Sequence, residues 1–162
     1  MGFSLVIDAA LFVPQSRPRL FVVAIAEDMT IPASLWEKAP SAPFHNSALQ
    51  TAHAAMSPAL KKNWLWWRLS TPPARNTTLI DLIENAPSDV DWHSNAQTRA
   101  LLAMMSDVNL AKVEEAKHSG LRMAGTLYRR TRYQAGEKIQ RAEARFDEVA
   151  GCLRTPTGGS SR

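Results

Sequence analysis

Two arginines one residue apart, Arg17 and Arg19, stand between the turn-like Val13-Pro14-Gln15 and the apolar run Leu20 to Ala26. Alternate residues of a strand project to the same side, so the pair would form a two-guanidinium fork at a strand entry. Such a fork suits a phosphate or the polar edge of a base. A second basic group lies in the last quarter. Arg130 and Arg132 share one face of a strand while Arg129 points away, and Arg141, Glu143 and Arg145 share one face of the next. The third candidate is the tail, where Arg154, Thr155, Gly158, Gly159, Ser160, Ser161 and Arg162 combine hydroxyl and guanidinium donors with a Gly-Gly step that lets backbone approach a phosphate closely.

The charge distribution agrees with an anionic partner. Residues 1–119 carry ten Lys/Arg against eleven Asp/Glu, whereas residues 120–162 carry nine against four, so the net +4 of the chain comes from its C-terminal quarter. A clustered basic face is the usual footprint of nucleic acid. Other chemistry finds less support. His45, His53, His93 and His118 are scattered with no i, i+4 pair, and Cys152 is the sole cysteine, so neither a metal site nor a disulfide framework is expected. Cys152 sits in an apolar context and reads as a small core residue rather than a nucleophile. Trp64 and Trp66 share a face and could stack on bases, but core packing is the better reading. No apolar run approaches the ~20 residues of a membrane-spanning helix, nothing at the N-terminus reads as a signal peptide, and a lone cysteine fits an expected cytoplasmic location.

The elements that must position these residues follow from local pattern. Phe3 to Asp8 partly alternates and reads as a half-exposed strand, and Leu20 to Ala26 as a strand buried on both faces. Two strands cannot bury that much apolar surface alone, so the rest of the chain, or a part of the protein outside it, must cover them. Residues 27–58 are punctuated by Pro32, Pro40, Pro43 and Pro58 and read as a loop-rich linker. Trp64 to Leu69 reads as a strand, and Thr78 to Asp81 as a capping box opening a short helix that Pro87 ends. Ala100, Leu101, Met104, Met105, Val108 and Ala111 recur at helical spacing with Gly120 as a terminator, which predicts one helical segment; Ser106-Asp107 could instead cap a second helix, giving a helical pair between Ser94 and Ser119. The acidic Glu114-Glu115 exterior of that pair suits DNA poorly. Leu121 to Tyr133 and Glu137 to Phe146 are strands joined through Gln134-Ala135-Gly136 as a hairpin.

Taken with its context, Val13-Pro14-Gln15-x-Arg17-x-Arg19 followed by Leu20-Phe21-Val22-Val23 resembles the Gln-x-Arg-x-Arg motif of the DNA cytosine-5 methyltransferases. The run from Arg141-x-Glu143-x-Arg145-x-Asp147 to Leu153-Arg154-Thr155-Pro156-x-Gly158-Gly159-Ser160-Ser161-Arg162 is similar to the segment by which some of these enzymes return from their variable target-recognition region. The two stretches cover about 40 residues. The resemblance implies that Arg17, Arg19 and Gln15 belong to a catalytic site. Arg19 would face O2 of a flipped cytosine, where charge develops as C6 is attacked; Arg17 would support it or hold a phosphate, and Gln15 would shape the turn. It implies DNA contacts by Arg130, Arg132, Arg141 and Arg145 and by the tail residues Arg154 to Arg162. The family's string before the motif is aromatic-Gly-Val/Ile-Pro-Gln, whereas Leu11-Phe12 precede Val13 here. The family's Pro-Cys nucleophile loop, its Glu-Asn-Val segment and its Gly-rich loop for S-adenosylmethionine have no counterpart in this sequence.

The expectation is therefore an α+β chain in three parts. Residues 1–26 would be edge strands of an α/β methyltransferase sheet, residues 27–148 a mixed strand and helix target-recognition region, and residues 149–162 a return segment toward the catalytic domain. The resemblance implies double-stranded DNA as partner, and S-adenosylmethionine as cofactor of a complete enzyme with none on this chain alone. The missing N- and C-terminal methyltransferase segments would come from elsewhere, or from a complementary subunit. By itself the chain should be inactive. A stand-alone nucleic-acid-binding module without chemistry is the alternative.

Overall fold

In the computed structural model, residues 1–26 and 28–152 are described. The chain is α+β, with short antiparallel sheets and separate helices. It divides into two compact units, one comprising Met1–Phe12 and Arg17–Ala74, the other Val13–Ser16 and Arg75–Arg162. Among the described residues no helix is long and apolar enough to cross a membrane.

The first unit is built on a hairpin of β1 (Gly2–Asp8) and β2 (Pro18–Ala24), paired from Gly2 opposite Ala24 to Asp8 opposite Pro18. Phe3, Leu5 and Phe44 form its core, and Phe3 stacks on Trp67 with ring centroids 4.4 Å apart. The strand expected to be half exposed is the better buried of the two, since Phe3, Ser4 and Leu5 are all buried. The strand expected to be buried on both faces is exposed throughout, with Leu20 at 60%, Phe21 at 47% and Val22 at 71%. The reason is topological: β2 pairs only with β1, and no described element covers its other edge or its outer face.

Residues 27–58 are more ordered than a linker. Trp36–Glu37 (β3) pairs with Trp66–Trp67 (β4), and Ser47–Ala54 forms α1. Asn46 caps α1 by accepting from the Leu49 N–H at 2.9 Å. A second short helix, α2 (Pro58–Lys62), has Ser57 as cap and Pro58 in its first turn, where a missing N–H costs nothing. The expected strand Trp64–Leu69 shrinks to two residues because its partner β3 is only two residues long. Trp66 and Trp67 pack inward, so these indoles serve the core.

The second unit pairs two helices with a long hairpin. α3 (Asn95–Ala103) opens with a full capping box, in which Ser94 accepts from the Gln97 N–H and Gln97 Oε1 accepts from the Ser94 N–H. α4 (Asp107–His118) follows Ser106 and ends at Ser119 and Gly120, whose φ of +68° is the left-handed terminator expected of a glycine. The Thr78 box is only half formed. Asp81 accepts from the Thr78 N–H and hydroxyl at 2.7 and 2.8 Å, which lowers its pKa, and the turn that follows is a single 3-10 turn, Ile80–Leu82, ending before Pro87.

The hairpin is β5 (Thr126–Gln134) and β6 (Glu137–Arg145), shorter at its start than the expected Leu121. Ala135 and Gly136 both have positive φ, +49° and +84°, which is the two-residue turn whose twist matches that of the strands. One face of the hairpin base carries Leu127, Ala142 and Ala144 onto Met105, Leu102 and Val113 of the helical pair. The edge of β6 is pinned there as well, since Met104 O accepts from the Ala142 N–H at 3.1 Å and Asn109 Oδ1 from the Ala144 N–H at 3.0 Å.

Candidate nucleic-acid interface

Past Ala142 the hairpin loses its support. Every residue from Arg129 to Lys138 is exposed, so the distal part of the two-stranded ribbon presents its side chains to solvent. Thr126–Arg145 carries six cationic and two acidic side chains, a net +4 equal to that of the entire chain. The strand register places Arg130 opposite Arg141, Arg132 opposite Ile139 and Tyr128 opposite Glu143, all on the face away from the helices. That face gathers Arg130, Arg132, Arg141 and Arg145 as the alternation of the sequence implies.

Their partners differ, and the difference matters. Arg132 donates to Glu143 Oε1 through Nε at 2.8 Å and also through Nη2. Arg130 Nε approaches the other carboxylate oxygen at 3.4 Å, and its guanidinium lies 5.5 Å from the centroid of the Tyr128 ring. Arg141 turns toward the tip and donates to the Gln134 side-chain oxygen at 2.7 Å. Arg145, at the base, is clamped by Asp147, which accepts from its Nε at 2.7 Å and from Nη2. This clamp raises the Arg145 pKa and lowers that of Asp147, so the pair is locked ionised. Arg145 is thus a brace, and the three arginines nearer the tip present the charge.

Tyr128 anchors the face. It is buried, its hydroxyl sits 2.9 Å from Thr126 Oγ1, and Gly151 packs directly on its ring. Tyr133 near the tip is 70% exposed with Lys138 Nζ 5.9 Å from its ring centroid, and Trp92 is 74% exposed. Neither aromatic was singled out from sequence. For Tyr133 the sequence signal is an aromatic directly after Arg132; Trp92 follows Asp91 and has none.

Gln15 belongs to the second unit and Arg17 and Arg19 to the first. Gln15 forms a parallel bridge with Ala150, where the Ser16 N–H donates to Ala150 O and the Ala150 N–H to Pro14 O, both at 2.8 Å. Arg17 and Arg19 are exposed; the Arg17 N–H donates to Asp8 Oδ1 at 2.6 Å and the Arg19 guanidinium to Pro18 O at 3.0 Å. Strand β2 starts at Pro18, so Arg17 precedes the strand that holds Arg19. Arg154, Thr155, Gly158, Gly159, Ser160, Ser161 and Arg162 lie outside the described residues. Cys152 is half-buried. Comparison with protein-family models, with characterised proteins and with solved structures finds no match to this chain.

Proposed function

We propose that this chain is the DNA-binding, target-recognition part of a DNA (cytosine-5-)-methyltransferase, inactive by itself. The observation that carries the reading is the β5–β6 ribbon, an exposed two-stranded hairpin with Arg130, Arg132 and Arg141 on one face. The major groove of B-DNA admits a two-stranded ribbon, and arginines supply both phosphate and base-edge contacts. Two further observations support the enzyme family. The Pro14-Gln15-Ser16 turn pairs with Ala150, so the two stretches that carry the resemblance meet in one bridge. Strand β2 is apolar on both faces yet bare, as a strand would be whose sheet is completed by other polypeptide. The bare edge also favours a complementary subunit or segment over a stand-alone module, which would have covered it.

The chemistry assigned to the complete enzyme gives Arg19 and Arg17 their role: a guanidinium beside O2 of the flipped cytosine stabilises charge as the nucleophile adds to C6. The residues present do not fit S-adenosylmethionine. β1 runs into one 3-10 turn capped by Asp8 and pairs antiparallel with β2, whereas a cofactor loop of this family follows its strand with glycines.

A binding titration tests the proposal. Fluorescence anisotropy of a labelled duplex should report binding that weakens steeply with salt, and Arg130→Ala with Arg132→Ala should weaken it further. Equal binding by the double variant across the salt series would overturn the assignment.

A further inference from the structure

The three tip-side arginines are not equivalent, and their partners sort them. Arg132 stands opposite Ile139, four register pairs from Glu143, so its side chain lies back along the ribbon across the Arg130–Arg141 pair to reach the carboxylate. Two of its donors, Nε and Nη2, meet one oxygen, which fixes the guanidinium plane and leaves Nη1 and the second Nη2 proton unused by that carboxylate. Glu143 is the sole partner of Arg132 among the described residues. Arg130 holds the same carboxylate only at 3.4 Å, and Arg141 is bound by a neutral amide.

This division has a chemical consequence. A phosphate approaching Arg132 meets the Glu143 carboxylate immediately behind it, and the charge it would seek is already offset. A neutral acceptor pair suffers no such repulsion and still finds two polarised, pre-aligned donors. In the major groove only guanine offers two adjacent acceptors, O6 and N7, at one base; adenine pairs its N7 with a donor and thymine offers O4 alone. Resting on the DNA-binding reading above, we propose that Arg132, buttressed by Glu143, reads a guanine in the major groove while Arg130 and Arg141 hold flanking phosphates. Glu143 is then a positioning residue for recognition.

The test is affinity selection of the full chain on a randomised duplex pool, followed by titration of the selected duplex with each guanine replaced in turn by 7-deazaguanine, which lacks the N7 acceptor. One such replacement should weaken the wild type about tenfold, as loss of a bidentate base contact does. Arg132→Lys keeps the charge, so its salt dependence should stay while its response to that replacement disappears. Glu143→Gln should bind random duplex more tightly, because a negative charge is gone, yet lose most of its preference for the selected duplex. A merely structural Glu143 would lose both together. Indifference of the wild type to every 7-deazaguanine, or retention of the full preference by Arg132→Lys, overturns the proposal. Failure of the wild type to bind any duplex overturns the DNA-binding reading itself.

Discussion

Gly151→Ala should damage the arginine face without touching an arginine. A Cβ at this position would lie 2.2 Å from Tyr128 Cε1, 2.4 Å from its hydroxyl oxygen and 2.6 Å from Cζ, all far inside van der Waals contact. The ring has little room to yield, since it is buried and its hydroxyl is held by Thr126. Overpacking of this kind costs about 1–3 kcal/mol; expelling the ring instead forfeits burial worth about 2–3 kcal/mol. At about 2–4 °C per kcal/mol for a chain of this size, Tm should fall by about 2–12 °C. The chain has two tyrosines, Tyr128 and Tyr133, so 3-fluorotyrosine labelling gives one resonance for the buried ring and one for the exposed ring. In the variant the Tyr128 resonance should move toward that of Tyr133. DNA binding should weaken as Arg130 loses the ring beneath it. A Tm within a degree of wild type, with both resonances in place, would refute the packing argument.

Other consequences can be checked independently. Arg130→Ala with Arg141→Ala removes two proposed phosphate contacts, so the slope of log affinity against log salt should fall by about 1.8, or about twelvefold over a fourfold rise in salt; an unchanged slope would take both residues off the backbone. His45 is buried, which lowers its pKa despite the nearby Glu37 carboxylate, and its Nδ1 accepts from the Ser41 N–H at 2.9 Å. The unfolded imidazole binds a proton more readily than the folded one, so stability is full above the ordinary histidine range near 6.5 and drains as pH falls below it. His45→Gln should flatten urea-unfolding stability between about pH 7 and 5; parallel curves for both proteins would place the pH dependence elsewhere. Purified chain incubated with tritiated S-adenosylmethionine and duplex DNA should transfer no label to the DNA, and transfer above a no-protein control would contradict the proposed division of labour.

The parts of the fold legible in the sequence are those specified locally. The helical pair follows from apolar spacing and the break at Ser106-Asp107, and the β5–β6 hairpin from a Gly-containing break between alternating runs. The missed helix α1 had a local signal too, Asn46 before an Ala-rich stretch, obscured by the surrounding prolines. What eluded the sequence depends on partners distant along the chain. The apolar run Leu20 to Ala26 announces a strand, which the structure ends at Ala24, but not its exposure, because an apolar run records what a segment needs and not what this chain supplies. The length of β4 was set by its short partner β3, which no local pattern announces. Likewise the alternation groups Arg130 with Arg132, but the reach of Arg132 back to Glu143, four register pairs away, appears only in three dimensions.

Hydrogen exchange measured by mass spectrometry, with and without a saturating duplex, bears most directly on the central claim. Exchange should slow across Thr126–Arg145, most strongly in the exposed ribbon from Arg129 to Lys138. Duplex binding that leaves this hairpin exchanging as in the free chain would contradict it.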